Sequence, residues 1–228
     1  MAARDLNRAQ EIADTLPGVK CVYNDAAKPE TFCSMVEEVV ADAGRLDVLV
    51  NNFGTSNPVK DLDFANTDPQ VFLDTVIMNL RSVFMASQAA AKHMASNGGG
   101  SIINISSVGG QVPDISQVAY GTSKAAINHL TRLIAVQEAR HRIRCNAVLP
   151  GMTATEAVEK HLSEDFRNLF LRHIPLGRMG LPEEIAEAVC YFAGDASAYT
   201  TGQILTVSGG FGLATPVYGD LAHWDHRR

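Results

Sequence analysis

Three nearly unbroken apolar runs constrain the fold of this chain more than any other feature. They cover residues 46–54, 101–107 and 144–151, and patterns typical of helices lie between them. Strands this apolar are usually covered on both faces, as in parallel sheets. Because strands alternate with helices, we predict an α/β fold with a doubly wound, Rossmann-like parallel sheet, formed by a single domain over residues 1–228.

The other elements follow from periodicity and from turn residues. Further strands are predicted at residues 19–24 and 202–210, and helices at residues 5–16, 31–43, 69–96, 120–140 and 182–194. Residues 152–180 have a weaker, mixed pattern, which indicates a helical excursion from the sheet. Residues 211–228 form an aromatic C-terminal tail.

The composition bounds the class of protein. With 228 residues, 46% of them hydrophobic, the chain can bury the core of one globular domain. A net charge of −6 gives no basic surface for nucleic acid or an anionic membrane, so neither is an expected partner. The four cysteines lack metal-site spacing, and no apolar run reaches the roughly 18 residues of a membrane helix. We expect a cytoplasmic protein without a metal.

A tyrosine and a lysine form the first candidate for chemistry. Tyr120 and Lys124 are four residues apart on a predicted helix, so their side chains share one face. Free tyrosine has a pKa of about 10, and a cation one turn away favours the phenolate and lowers that pKa. Tyr120 could then exchange a proton with an alcohol or carbonyl. The alternative is a half-buried ring beside a solvated cation.

Ser107 is the second candidate. It ends the apolar run 101–107, so we expect it at the carboxyl end of a strand, where open α/β sheets hold their ligands. From there its hydroxyl could hydrogen-bond the same substrate oxygen as Tyr120.

These residues belong to a longer series of motifs that spans the chain. In order they are Asn51-Asn52-Phe53-Gly54, Asn79, Ser107, Tyr120, Lys124, Pro150-Gly151 and Ser208-Gly209-Gly210. The series resembles the short-chain dehydrogenase/reductase family. The resemblance implies that Tyr120 donates and accepts the proton and that Ser107 polarises the reacting oxygen. It also implies that Lys124 lowers the pKa of Tyr120 and holds the ribose hydroxyls of a nicotinamide cofactor.

The resemblance extends to the adenine side of the cofactor. Asn51, Asn52 and Gly54 would back this part of the site, and Asp25 would touch the adenine. Phe53 replaces the alanine usual in the family and would narrow the pocket. An alternative role for Asp25 is to cap the next helix.

Further roles are implied around the nicotinamide and the second strand. Thr153, with Pro150 and Gly151 before it, would hold the carboxamide, although threonine after Pro-Gly is also an ordinary turn residue. Asn79 would bind a water on the proton path, or else satisfy a neighbouring backbone group. Arg4 would accommodate the 2′-phosphate of NADP, so we favour NADP over NAD as the cofactor. The alternative is that Arg4 is only a surface residue, next to Asp5 as the cap of the first helix.

Three segments, residues 111–120, 143–151 and 209–218, are similar to bacterial 7α-hydroxysteroid dehydrogenases of the clostridial type. The similarity implies hydride transfer between NADP(H) and a steroid ring hydroxyl or ketone, with the 7α-hydroxyl of bile acids as the expected position. The steroid would lie between residues 152–180 and the tail, although the tail could equally serve subunit contact or core packing. The alternatives are another short-chain reductase, acting on a 3-oxoacyl thioester, a sugar alcohol or another steroid position, and a catalytically silent fragment that acts in assembly.

Two expectations concern the ends of the fold and its assembly. The family's glycine-rich turn, which cradles the pyrophosphate, is not in the sequence, so the fold is expected to be N-terminally truncated by on the order of 35 residues. Either a start codon is misplaced or the chain is a real fragment; we favour the first because the downstream catalytic positions are filled.

The family implies a homo-oligomer, a dimer or tetramer, formed through the two long helices and sometimes through the last strand.

Overall fold

The computed structural model describes residues 1–215 and 217–222, except the side chains of residues 157 and 161. Its strands are β1 (Ala2–Ala3), β2 (Val22–Tyr23), β3 (Val48–Asn51), β4 (Gly100–Ile105), β5 (Ile143–Pro150) and β6 (Ile204–Val207). Its helices are α1 (Leu6–Ala13), α2 (Glu30–Ala43), α3 (Pro69–Ser96), α4 (Val118–Glu138), α5 (Glu156–His161), α6 (Glu164–Leu171), α7 (Pro182–Ala193) and α8 (Tyr218–Ala222). The predicted α/β class with parallel strands is confirmed.

The strands form two parallel sheets among the described residues. Strands β3-β4-β5-β6 make a four-stranded sheet, and β1 pairs only with β2. Among the described residues no strand joins β1 to β3, and such a gap is what the loss of a central first strand would leave. Strand β2 is also shorter than the predicted 19–24.

Helices cover both faces of the four-stranded sheet, as the apolar strands require. On one face Ile102 and Cys145 pack with Met94 of α3 and Ala135 of α4. On the other face Ile103, Val148 and Phe192 of α7 form a second cluster. Neighbouring residues of β4 thus point to opposite faces, which is the two-residue period of a strand. This double burial explains why β4 and β5 are apolar along most of their length.

The residues before α3 explain where this long helix begins. Asp68 caps it by accepting hydrogen bonds from the backbone of Gln70 and Val71, and Pro69 occupies its first turn.

None of the helices in the described ranges is both long enough and apolar enough to cross a membrane. Within the same ranges, no group of three or more His, Cys, Asp or Glu side chains is placed to hold a metal ion.

A chain of buried polar side chains crosses the sheet beneath α3 and α4. The Asn51 amide donates to Ser87 Oγ at 2.9 Å and to Asn104 Oδ1 at 2.8 Å. The Asn104 amide in turn donates to Thr131 Oγ1 at 2.9 Å. Because each buried amide has partners, the chain ties α3, β3, β4 and α4 together without leaving these donors unpaired.

Replacing the centre of this chain should destabilise the fold. Asn104→Ala is expected to lower the free energy of unfolding by about 1–3 kcal/mol, because buried groups of Asn51 and Thr131 lose a partner. Denaturant unfolding would measure the change. The matched control is Asn168→Ala, at an exposed position of α6, for which we expect a change within about 0.5 kcal/mol. Equal losses in both variants would contradict the role of the chain.

Candidate active site

Helix α4 carries Tyr120 and Lys124 on one face, as their spacing predicts, and both side chains are largely buried. The Lys124 ammonium donates to the carbonyl oxygen of Ile105, the last residue of β4, at 2.9 Å. It also lies 5.6 Å from the centre of the Tyr120 ring. Burial disfavours its positive charge and lowers the pKa of Lys124 to about 8. The end of β4 and the second turn of α4 therefore meet at one cation.

Two glycines make room for this approach. A β-carbon on Gly54, just after β3, would lie 2.9 Å from Lys124 Nζ. A β-carbon on Gly110, in the short 3-10 turn Val108–Gly110 after β4, would lie 2.7 Å from the Lys124 carbonyl carbon. Any other residue at either position would displace the lysine or the helix.

Ser107 lies at the carboxyl end of β4, as expected, and begins the 3-10 turn. Its hydroxyl accepts a hydrogen bond from the backbone N–H of Gly109 at 3.1 Å, which orients the side chain. A β-carbon on Gly109 would lie 3.6 Å from Ser107 Oγ and 3.9 Å from Cε1 of Tyr120. The glycine therefore borders a space that the hydroxyl and the tyrosine ring share.

The electrostatics of Tyr120 differ from the expectation. Burial raises the pKa of Tyr120, because the phenolate loses water, and a hydrogen bond with Ser107 opposes this rise. We expected Lys124 to lower the pKa of Tyr120. In the protein alone this expectation is wrong, because burial raises the pKa and is the larger effect. The protein holds Tyr120 as a neutral phenol, the form that donates a proton.

Asn79 connects α3 to the site through hydrogen bonds with protein groups. Its carbonyl accepts from the backbone N–H of Thr55 at 2.8 Å, and its amide donates to Thr55 O and to Ser123 Oγ, each at 2.9 Å. The side chain thus satisfies a neighbouring backbone group, one of its two anticipated roles. Binding of a water on the proton path stays a prediction.

The motif residues 51–54, at and just after the end of β3, have different surroundings. Asn51 is buried in the polar chain under the sheet, whereas Asn52 is exposed beside it. Gly54 lies close to Lys124, since a β-carbon on it would be 2.9 Å from Lys124 Nζ. These positions border the site, but Asn51 has its amide hydrogens engaged by Ser87 and Asn104.

Arg4 and Asp25 lie at the same edge of the two-stranded sheet. Arg4 directly follows β1 and is exposed, while Asp5 caps α1 through the N–H groups of Asn7 and Arg8. The Asp25 carboxylate accepts from the backbone of Ala27 at 3.0 Å, which closes a turn, and the residue that caps α2 is Pro29. The alternative of Asp25 as the α2 cap is therefore wrong.

Pro150 ends β5, and Gly151 and Thr153 lead into the excursion. The Thr153 hydroxyl donates to the Gly151 carbonyl at 3.1 Å, and the residue forms an isolated bridge with Gly180. The two ends of the segment 152–180 therefore meet at this bridge. As predicted, they are partly helical, since they include α5 and α6.

The excursion contacts the tail through aromatic rings. Phe170 of α6 stacks on Phe211, with ring centres 4.7 Å apart, and Phe166 lies 6.2 Å from Phe170. Arg172 and Asp220 form an ion pair at 2.8 Å. These contacts are consistent with a site between the two segments; Trp224 and the rest of the tail after residue 222 lie outside the described residues.

One neighbour of the site was missed from the sequence. Asp61, in the loop between β3 and α3, accepts hydrogen bonds from the backbone N–H groups of Ala119 and Tyr120 at 2.9 Å. The available signal was indirect: α4 follows Gln117, which is not one of the usual capping residues, so its first turn needs a distant partner.

Comparisons with known proteins agree with this geometry. A family model described as Enoyl-(Acyl carrier protein) reductase matches residues 1–212. The 7alpha-hydroxysteroid dehydrogenase of Clostridium sardiniense is 48% identical over 224 residues, which cover 96% of this chain and 86% of the relative.

Two solved structures are similar in fold. A 7 alpha-hydroxysteroid dehydrogenase complexed with NADH and 7-oxo glycochenodeoxycholic acid has a TM-score of 0.85 and 30% identity, covering 92% of this chain and 82% of that one. A gluconate 5-dehydrogenase from Burkholderia cenocepacia, in complex with NADP and tartrate, has a TM-score of 0.86 and 28% identity, covering 94% and 85%. The chain belongs to the short-chain dehydrogenase/reductase family and is an NAD(P)-dependent oxidoreductase.

Proposed function

We propose that this chain transfers a hydride between NADP(H) and the 7-position of a bile acid, oxidising a 7α-hydroxyl or reducing the corresponding ketone. The observation that carries the proposal is the convergence of Ser107, Tyr120 and Lys124 at the end of β4. The names of the relatives supply the substrate class.

The residues present fit the nicotinamide end of the cofactor. Lys124 donates one N–H to the Ile105 carbonyl, and its other N–H groups make no hydrogen bond among the described residues, so they could hold two ribose hydroxyls. The space that Gly54 leaves open beside Nζ is where such hydroxyls could approach. When bound, the nicotinamide supplies the hydride donor or acceptor. The pyrophosphate end has no glycine-rich turn among these residues.

The side chains would move the proton as follows. In reduction, Ser107 and Tyr120 hydrogen-bond the ketone oxygen, and Tyr120 gives that oxygen its phenolic proton as the ring carbon gains a hydride. In oxidation, the Tyr120 phenolate takes the hydroxyl proton as the hydride leaves the same carbon. The raised pKa of Tyr120 keeps the proton in place at neutral pH, which suits the reductive direction. Lys124 stabilises the phenolate that remains after donation.

The steroid would lie beside Ser107, where the structure has a cavity of about 250 Å³. It is lined by Val108, Gln111, Val112 and residues 206–213, most of them apolar or glycine. The 3-10 turn that begins at Ser107 and the start of the tail both contribute to the lining. The excursion 152–180, which was expected to form one side of the steroid site, contributes none of the described lining residues. An apolar wall beside a polar reacting centre suits a rigid ring system with one hydroxyl.

Arg4 is the basis for proposing NADP over NAD. Its exposed position directly after β1 places a guanidinium at the end of that strand, where an adenosine 2′-phosphate could be bound. Phosphate recognition by arginine is strong because the guanidinium donates two parallel hydrogen bonds.

A homo-oligomer is proposed from the outer surface of α3 and α4. A groove of about 510 Å³ runs between these helices, and Phe84, Leu133 and Ile134 contribute to its lining. Phe84 is 48% exposed and Leu133 41% exposed, so large apolar side chains face outward on adjacent helices. Exposed apolar patches of this kind mark contact surfaces, and a second copy of the chain is the proposed occupant.

Tyr120→Phe should remove the proton-transferring hydroxyl and little else. We expect kcat to fall by at least about 10³-fold, with the cofactor Kd changed less than about threefold, because only the transition state loses an interaction. Steady-state rates and cofactor fluorescence titration would measure the two effects. Gln111→Ala, at the cavity wall, is a comparison that should alter substrate KM far more than kcat. A retained rate in Tyr120→Phe would remove Tyr120 from the mechanism.

Substrate position can be tested with cholate and deoxycholate, which differ only in the 7α-hydroxyl. We expect cholate alone to be oxidised, with kcat/KM about tenfold or more higher for NADP than for NAD. Arg4→Ala should erase that preference for NADP. Oxidation of both bile acids would place the reaction at another position, and activity with a 3-oxoacyl thioester alone would favour the reductase alternative.

The oligomer proposal predicts a change of mass. Phe84→Glu should shift the protein to a smaller species, because a buried carboxylate would oppose association of the α3 and α4 surfaces. Multi-angle light scattering after size exclusion would report it. Val59→Glu, at an 83% exposed residue outside this surface, serves as the control and should leave the mass unchanged. A wild-type chain that is monomeric at micromolar concentration would refute the proposal.

A further inference from the structure

The first turn of α4 has no cap of its own. Gln117 precedes the helix in the left-handed region, at φ 59° and ψ 46°, and its side chain makes no capping hydrogen bond. The first backbone N–H groups of a helix have no partner within the helix. Tyr120 is the third residue of α4, so the orientation of the catalytic side chain depends on how this turn is held.

The loop between β3 and α3 supplies the missing acceptors. Asp61 O and Leu62 O accept from the N–H groups of Gln117 and Val118, each at 3.2 Å. The Asp61 carboxylate then binds the next two N–H groups, with Oδ1 on Ala119 and Oδ2 on Tyr120, each at 2.9 Å. Four successive donors are therefore satisfied by two residues that lie more than fifty positions earlier in the chain.

Asp61 is also placed to act through its charge. The side chain is fully buried, so its carboxylate is little screened by water. A carboxylate at a helix N-terminus offsets the partial positive charge there, which by itself would favour a phenolate nearby. Lys124 on α4 lies 5.6 Å from the centre of the Tyr120 ring, and the Asp61 carboxylate on the loop binds the Tyr120 backbone N–H. The 3-10 turn contributes the uncharged Ser107.

We infer that Asp61 is a positioning residue for Tyr120: its carboxylate holds the backbone of the catalytic turn and keeps the phenol protonated by opposing Lys124 and the helix N-terminus. The inference rests on Tyr120 as the proton-transferring residue of the proposed function. It deepens that function by assigning the control of the tyrosine to a loop on another part of the chain. Asp61 contacts neither substrate nor the reacting atoms.

The loop is also held by contacts with α3 and by hydrogen bonds within the loop itself. At its start, Thr55 is bound on both backbone groups by Asn79 of α3. Further along, Leu62 N–H donates to Thr67 Oγ1 at 2.9 Å, and the Thr67 hydroxyl donates to Asp63 O. The loop therefore transmits the position of α3 to the first turn of α4.

The test compares two capping aspartates. Asp61→Asn keeps the shape of the side chain but removes its charge and turns an N–H₂ group toward a backbone donor. Asp68→Asn makes the same change at the cap of α3, where the carboxylate also accepts two backbone N–H groups. Asp68 is exposed and belongs to no part of the site, so it reports what the loss of a cap does by itself.

The direct measurement is the titration of Tyr120, followed as tyrosinate absorbance relative to the same protein carrying Tyr120→Phe. In Asp61→Asn we expect the Tyr120 midpoint to move about one unit lower, and kcat to fall about tenfold with cofactor Kd unchanged. In Asp68→Asn the midpoint and kcat should equal those of the wild type, although the melting temperature drops. Because the titration needs no substrate, it stands even if the bile-acid assignment fails.

A second variant separates charge from geometry and covers a failure of Asp61→Asn to fold. Asp61→Glu keeps the charge but moves the carboxylate by one methylene, so we expect an unchanged midpoint with a lower kcat. An Asp61→Asn protein that folds with the wild-type midpoint and kcat would overturn the inference. A wild-type kcat in Asp61→Glu would overturn its positioning half.

Discussion

The burial of the Lys124 ammonium is the interaction on which the rest of the site depends. Removing a cation from water is costly, so the protein must give it a partner at a fixed place. The Ile105 carbonyl is that partner, and it ties the end of β4 to α4. The glycines at positions 54 and 110 are what let the strand end, the 3-10 turn and the helix come this close. Because this bond fixes Lys124 in one position, it also holds α4 against the end of β4 and so brings Tyr120 close to Ser107.

Much of this arrangement is readable from local patterns. The four-residue spacing of Tyr120 and Lys124 places them on one face, and the end of an apolar run places Ser107 at the carboxyl edge of the sheet. Helix boundaries fall within a few residues of those predicted, since Asp68-Pro69 starts α3 and Gly44 follows α2. Such features depend on neighbours in sequence, which is why they can be predicted.

Other features depend on residues that are distant in sequence. The bonds of Asp61 to α4 and of Asn79 to Thr55 join segments that no periodicity connects. The pKa of Tyr120 rises because of burial, which is a property of the packed structure and not of the spacing to Lys124.

The pairing of Asn51 with Asn104 has a consequence for folding. The two residues are directly opposite each other in the parallel register of β3 and β4. A slip of one residue would turn the amides of either strand toward Ile103 and Phe192, where they would have no partners. Misaligned pairings of otherwise interchangeable apolar strands are thereby penalised. The paired asparagines thus fix the register of β3 and β4, so that both strands end level beside the candidate site.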